Sequence, residues 1–229
     1  MTARSQPSSR RERPAKPALT RAGIISEAVR IMRAEGLQRV TMRRLAKELD
    51  TGPASLYVYV SNTAELHGAI LDELMGEVDL EPAASGGDWR EQIDTVLTSY
   101  TDLLHQHPSL AQAALVARPS GPNYLKLLET LLSLLEQGGV PGGQAAWGVD
   151  VLLQVATASA AEHAARDSSP RSEQEWSELT TAVEGTSEAE SPHVAALGSE
   201  LLSGTPRTRR TWRIHMLLNG ILQTPRPTP

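Results

Sequence analysis

Cysteine and phenylalanine are both missing from this 229-residue chain, and aromatic residues of any kind make up only 3% of it. Without cysteine there is no disulfide framework, no thiolate zinc cluster and no thiol nucleophile. Without phenylalanine, the core has to be assembled from aliphatic side chains. Alternating apolar–polar runs are scarce, whereas apolar residues recur at spacings of three and four, which predicts an all-α protein. No run of about 18 apolar residues occurs, so no membrane-spanning helix is expected. The opening residues, MTARSQPSSRRERPAKPA, lack the apolar stretch of a secretory signal, and the expected compartment is the cytoplasm.

What is present is an uneven charge. Residues 1–62 carry twelve Lys+Arg against five Asp+Glu, a net of +7, while residues 63–229 carry ten against twenty-two, a net of −12. A basic head suits a polyanionic partner, and an acidic body keeps away from it. Residues 1–18 are polar, basic and broken by proline, the composition of a disordered arm. A first helix is expected from an N-cap at Thr20, with Gly36 in a left-handed position at its end. A second is expected from Thr41, burying Met42, Leu45, Ala46 and Leu49 along one face. The stretch Asp50-Thr51-Gly52-Pro53 then interrupts the pattern. Gly52 is expected to supply the special backbone conformation, and Pro53 to open a third helix that runs inward through Leu56 and Val60 and outward through Ser55, Tyr57 and Tyr59.

Two short helices joined by a tight glycine-containing turn form a helix-turn-helix unit, whose second helix enters a DNA major groove. Residues 19–62 are therefore read as a DNA-binding domain and 63–229 as a larger helical domain. In the latter, helices are expected over 63–79, 89–106, a short piece from 109, 123–137, a long segment to about 166, 176–183, 193–202 and 208–223. The segments 81–88, 167–175 and 185–192 read as loops.

The head resembles the DNA-binding domain of the tetracycline-repressor (TetR) family of bacterial regulators. The resemblance lies in Ile24-Ile25 with Ala28, EGL (35–37), VTMRRLAKEL (40–49), TGPASLYVYV (51–60) and NTAEL (62–66). The ending RRTWRIHMLLNGILQ (209–223) is similar to the last dimerisation helix of many members. The resemblance implies that Thr20 and Thr41 sit against phosphates, and that Arg43 and Arg44 reach the DNA backbone or base edges. It further implies that Thr51, Pro53, Ala54, Ser55 and Tyr59 face the groove and that Tyr57 bonds a phosphate. Members usually carry His and an aromatic where this chain has Tyr59 and Val60, and Lys or Arg where it has Thr63. Losing that charge removes one released counterion per subunit, which the arm residues Arg10, Arg11, Arg13 and Lys16 are placed to offset.

The family also implies a homodimer built on 149–165 and 208–223, and a ligand cavity within the body. For the long helix the competing reading is a central core helix of the monomer. Candidate cavity residues are Trp89, Tyr100, Tyr124, Trp147 and Trp176, flat apolar groups with a polar handle; ordinary core packing is the alternative for each. His105, His107 and His163 raise a metal site, but residues two apart point in different directions on a helix, and neither a metal nor a cofactor is expected. GGVPGG (138–143) lacks the Lys and the strand of a phosphate loop and reads as a turn. The combined expectation is an all-α homodimeric repressor of palindromic double-stranded DNA, released by a small-molecule effector. An activator or ligand-independent regulator is the alternative, with an enzyme on a helical fold more remote.

Overall fold

The computed structural model describes residues 18–84, 86–117 and 119–227, so the expected basic arm lies almost wholly outside the described residues. Eleven α-helices and two short 3₁₀ turns are present there, with no strand. Helix α1 (Arg21–Glu35) starts where Thr20 Oγ1 accepts the Gly23 N–H, and α2 (Met42–Glu48) where Thr41 Oγ1 accepts the Arg44 N–H. Both threonine caps are as the sequence predicts. Gly36 ends α1 at φ +88°, a conformation that disfavours any side chain.

The turn after α2 departs from expectation. Gly52 sits in ordinary extended backbone at φ −82°. The left-handed residue is Asp50, at φ +46°. The Thr51 N–H reaches Ala46 O at 2.8 Å and the Asp50 N–H reaches Lys47 O at 3.2 Å. That pair of bonds is a Schellman closure with aspartate in the place glycine usually takes. Aspartate is among the few side chains that tolerate this conformation, but glycine is its usual occupant, which is why the sequence pointed to Gly52 two positions on. Helix α3 (Pro53–Leu56) is a single turn; Tyr57, Val58 and Tyr59 continue as turns, and Leu56 O accepts from both Tyr59 and Val60.

Ile24, Ala28, Ile31, Leu45, Leu56, Val60, Leu66 and Ile70 are completely buried and hold α1–α3 against α4 (Thr63–Met75). Each large aliphatic chain so buried is worth roughly 1.5–3 kcal/mol of transfer free energy. Asn62 caps α4 through the Glu65 N–H, and the Glu65 carboxylate reaches back to the Ser61 N–H. Arg33 of α1 pairs with Glu77 beyond the far end of α4.

The body packs α5 (Trp89–Gln106), α6 (Pro108–Ala114) and α7 (Pro122–Gln137) around α8 (Gly142–Asp167). Helix α8 is central, burying Val149, Leu152, Leu153, Thr157, Ala160, Ala161 and Ala164. Helix α11 (Pro206–Gln223) lies along it; a Cβ on Gly148 would stand 2.8 Å from Ile221 Cγ2, so the small residue sets how near the two helices come. Helices α9 (Ser172–Glu184) and α10 (Pro192–Leu202) pack on each other, and α9 buries none of its residues. The segment expected as a loop to 175 is thus helical from Ser172. Glu173 and Glu175 in its first turn complement the helix dipole, a signal that its polar composition masked. No helix among the described residues is long and apolar enough to cross a membrane.

Candidate nucleic-acid interface and effector cavity

The outer face of the head collects most of the residues singled out for DNA. Thr20, Thr41, Arg43, Pro53, Ala54, Ser55 and Tyr57 are exposed, and Thr51 is half-buried. Each capping threonine uses its oxygen as an acceptor, which leaves the hydroxyl proton available to a phosphate oxygen. The first turns of α1, α2 and α3 contain no acidic residue, so their N-terminal N–H groups meet no competing carboxylate. In the first turn of α4 the Glu65 carboxylate is held below the usual range, chiefly by the Ser61 N–H, with Arg21 adding to the effect.

The two arginines of α2 differ. Arg43 is exposed and makes no ion pair with a described residue, whereas Arg44 lies between Glu35 at 2.8 Å and Glu48 at 3.1 Å. Arg44 therefore joins the end of α1 to α2, and its reach toward DNA requires leaving both carboxylates. Tyr59 packs half-buried against the head core. Sequence reasoning passed over Val58, which is 80% exposed between the two tyrosines. An apolar residue that open on a basic face fits contact with a thymine methyl group. Its signal was the 57–60 alternation, in which Leu56 and Val60 point inward and Val58 has no inner place.

Behind the head lies a cavity of about 570 Å³. Leu71 and Met75 of α4, Tyr100 of α5, residues 114–117, Tyr124 of α7, and Asp150, Leu153, Gln154 and Thr157 of α8 surround it. Tyr100 is 3% exposed, and its hydroxyl shares a 2.7 Å hydrogen bond with Thr157 Oγ1. Burial pushes that phenol up to about 12, so it stays neutral and able to donate across the physiological range. Asp150, Gln154 and Thr157, spaced by four and three, form a polar stripe on the cavity side of α8, a pattern present in the sequence.

Of the five aromatic candidates, Tyr100 and Tyr124 meet in this cavity. Trp89 stacks under the α7–α8 turn, where Gly138 has no room for a Cβ, and Arg90 lies 4.2 Å over its ring. Trp147 is 56% exposed on the outer side of α8 and Trp176 is exposed on α9. Among the described residues no group of three or more His, Asp or Glu is arranged for a metal; His105 instead pairs with Asp167 at 3.1 Å. Arg209, Arg210 and Arg213 of α11 are all engaged within the chain. Arg210 pairs with Asp102, and Arg213 donates to Ser159.

Comparison with known proteins bears on both halves. Residues 24–70 match the family described as bacterial regulatory proteins, tetR family, and residues 81–220 match the tetracyclin repressor-like C-terminal domain. The protein SCO7704 of Streptomyces coelicolor is 55% identical, with 93% of this chain and 100% of that one covered and a TM-score of 0.76. The Streptomyces coelicolor TetR family protein ActR, solved in complex with actinorhodin, is 32% identical over 90% of this chain and 96% of its own, with a TM-score of 0.77. The HTH-type transcriptional repressor DrrR1 of Streptomyces coeruleorubidus is 34% identical over 125 residues, 55% of this chain and 46% of that protein. The chain spans about half the length of the curated relatives it matches. With both halves matched and the helical architecture shared, the chain belongs to the TetR family, whose members are transcriptional regulators rather than enzymes.

Proposed function

We propose that this protein is a cytoplasmic, homodimeric, sequence-specific DNA-binding repressor that leaves a palindromic operator when a small molecule fills the cavity behind its head. The observation that carries this reading is the double membership of α4. Leu66 and Ile70 of that helix are buried with the head core, while Leu71, the next residue, and Met75 form a wall of the cavity. A molecule entering the cavity presses on the element that the head rests against, so occupancy and head position are linked through differential contacts.

Homodimerisation is supported by the outer faces of α8 and α11. Trp147, Val151, Trp212 and Met216 are all exposed there, beside a largely apolar groove of about 460 Å³. A contiguous apolar surface of this kind marks an interaction site. Two heads related by a two-fold axis read half-sites about one helical turn apart, roughly 34–36 Å. The repressor name of DrrR1 supports the direction of control, and the actinorhodin complex of ActR supports a small-molecule ligand, which we assign to the cavity of Tyr100 and Tyr124.

Selection from random duplex DNA by the purified full chain, at two salt concentrations, tests the reading. The expected result is an enriched palindrome whose binding weakens steeply with salt. Actinorhodin is the first effector probe, expected to release the selected duplex. Failure to enrich any sequence overturns the regulator reading; retention of the duplex by a protein with actinorhodin bound overturns release.

A further inference from the structure

Helix α7 begins without a cap of its own. Its N-cap position is Gly121, which has no side chain to offer, and Pro122 follows with no N–H. The missing acceptor comes from another helix. Asp72 of α4 is 7% exposed, and its Oδ1 accepts the Tyr124 N–H at 2.9 Å. In return Asn123 Nδ2 donates to the Asp72 carbonyl oxygen at 3.0 Å. A carboxylate at a helix N-terminus satisfies an orphan donor and faces the positive end of the dipole. The fit is close. The three atoms nearest to a Cβ built on Gly121 all belong to the Asp72 carboxylate, and all lie inside contact distance.

This cap sits at a junction. Asp72 follows Leu71 and precedes Met75, both in the cavity wall, and Tyr124, whose N–H it holds, presents its ring to the same cavity. Toward the N-terminus α4 runs into the head core through Ile70 and Leu66. Asp72 is thus fixed at one end to an aromatic of the cavity wall and at the other to the helix that packs beneath the head.

We infer that the Asp72 carboxylate, capping α7 across the gap closed by Gly121, is the positioning contact that couples the effector cavity to the head. Displacement of Tyr124 and the first turn of α7 pulls the carboxylate, and α4 follows as a rigid element. The glycine at 121 keeps the two helix backbones near enough for the coupling to be stiff. This rests on the regulator reading of the cavity and head, and it specifies which atoms carry the signal.

The test needs no effector, because Gly121→Ala forces the displacement directly. Hydrogen exchange on the full chain is expected to quicken at least fivefold at Leu66–Ile70, on the head side of α4. Binding to the selected duplex is expected to weaken about tenfold, within the usual range of allosteric coupling. In Asp72→Ala/Gly121→Ala the three atoms that crowd the new Cβ are gone, and both readouts are expected to return to those of Asp72→Ala. Such non-additivity is the mark of a direct contact. Faster exchange confined to the amides of Asn123 and Tyr124, with unchanged DNA affinity, overturns the inference and leaves a merely local cap. Additive effects overturn it as well. Should Gly121→Ala fail to fold, Asp72→Ala removes the cap without crowding, and unchanged exchange at Leu66–Ile70 in that variant overturns it too. A wild-type chain that enriches no duplex refutes the regulator reading, while the exchange pattern still decides the coupling.

Discussion

Replacing Tyr100 by Phe removes one oxygen from a sealed contact, and the cost can be worked from its surroundings. Tyr100 and Thr157 are 3% and 7% exposed and share a 2.7 Å hydrogen bond. The lost bond itself contributes about 0.5–1.5 kcal/mol, and leaving the Thr157 hydroxyl buried without its partner costs about 1–3 kcal/mol in all. A helical threonine can turn its hydroxyl to the carbonyl one turn earlier, which favours the lower half of that range. About 1.5 kcal/mol is therefore expected, a fall in Tm of roughly 3–6 °C for a chain this long. Thr157→Val strands the phenol in the same way and is expected to cost a similar amount. The double variant Tyr100→Phe/Thr157→Val replaces a polar pair by an apolar one of the same shape and is expected to lose under about 1 kcal/mol, less than either single change. Urea denaturation of the four proteins, with equal m values as the check on two-state behaviour, reads this cycle. Strictly additive losses would refute the reasoning, since they would mean that each hydroxyl finds other partners and that the pair is no unit.

Three other outcomes are expected. At Asp50 the backbone is left-handed, so Asp50→Val is expected to destabilise the head by about 1–2 kcal/mol while Asp50→Gly stays within about 0.5 kcal/mol of the native chain, read by thermal melts. His67 and His107 are both held below the ordinary histidine value by burial, so the folded chain resists protonation that the unfolded chain accepts. The contribution of these two groups to stability is fully present above about 6.5 and is lost as pH falls below it toward the folded values; a melting series from pH 8 to pH 5 with a flat profile would contradict this. Trp212 is 67% exposed on α11, and Trp212→Arg is expected to shift sedimentation toward monomer at micromolar concentration while leaving the helical circular dichroism unchanged.

The sequence disclosed local devices better than distant ones. Thr20 and Thr41 are caps because a hydroxyl before a helix has one natural use, and both bonds are present. The bounds of α5 are those expected because Asp88 caps its start and Pro108 opens the next helix. The turn after α2 misled because glycine is the usual left-handed residue, and Asp50 adopts that role two positions earlier. The cavity behind the head was only partly legible. Aromatic character marks residues that bury well but not where they are buried, so Tyr100 and Tyr124 were found together with Trp89, Trp147 and Trp176, which lie elsewhere. Leu71, Met75 and Asp72 gave no signal beyond an amphipathic helix, because their importance comes from an α7 terminus some fifty residues away.

The single hydrogen-bonded turn of α3 has a thermodynamic consequence. One turn lies below the length at which a helix sustains itself, and Leu56, Val60 and the half-buried Tyr59 fasten this one to the head. Tyr57 and Val58, the exposed pair, are therefore held by that packing and not by helix propensity. If this face docks on a duplex as proposed, the contact is expected to tighten that short turn, so the enthalpy of binding should become more negative on warming, with a heat-capacity change larger than rigid docking of the same surface would give. For this protein a calorimeter run at several temperatures would weigh how much of recognition is folding.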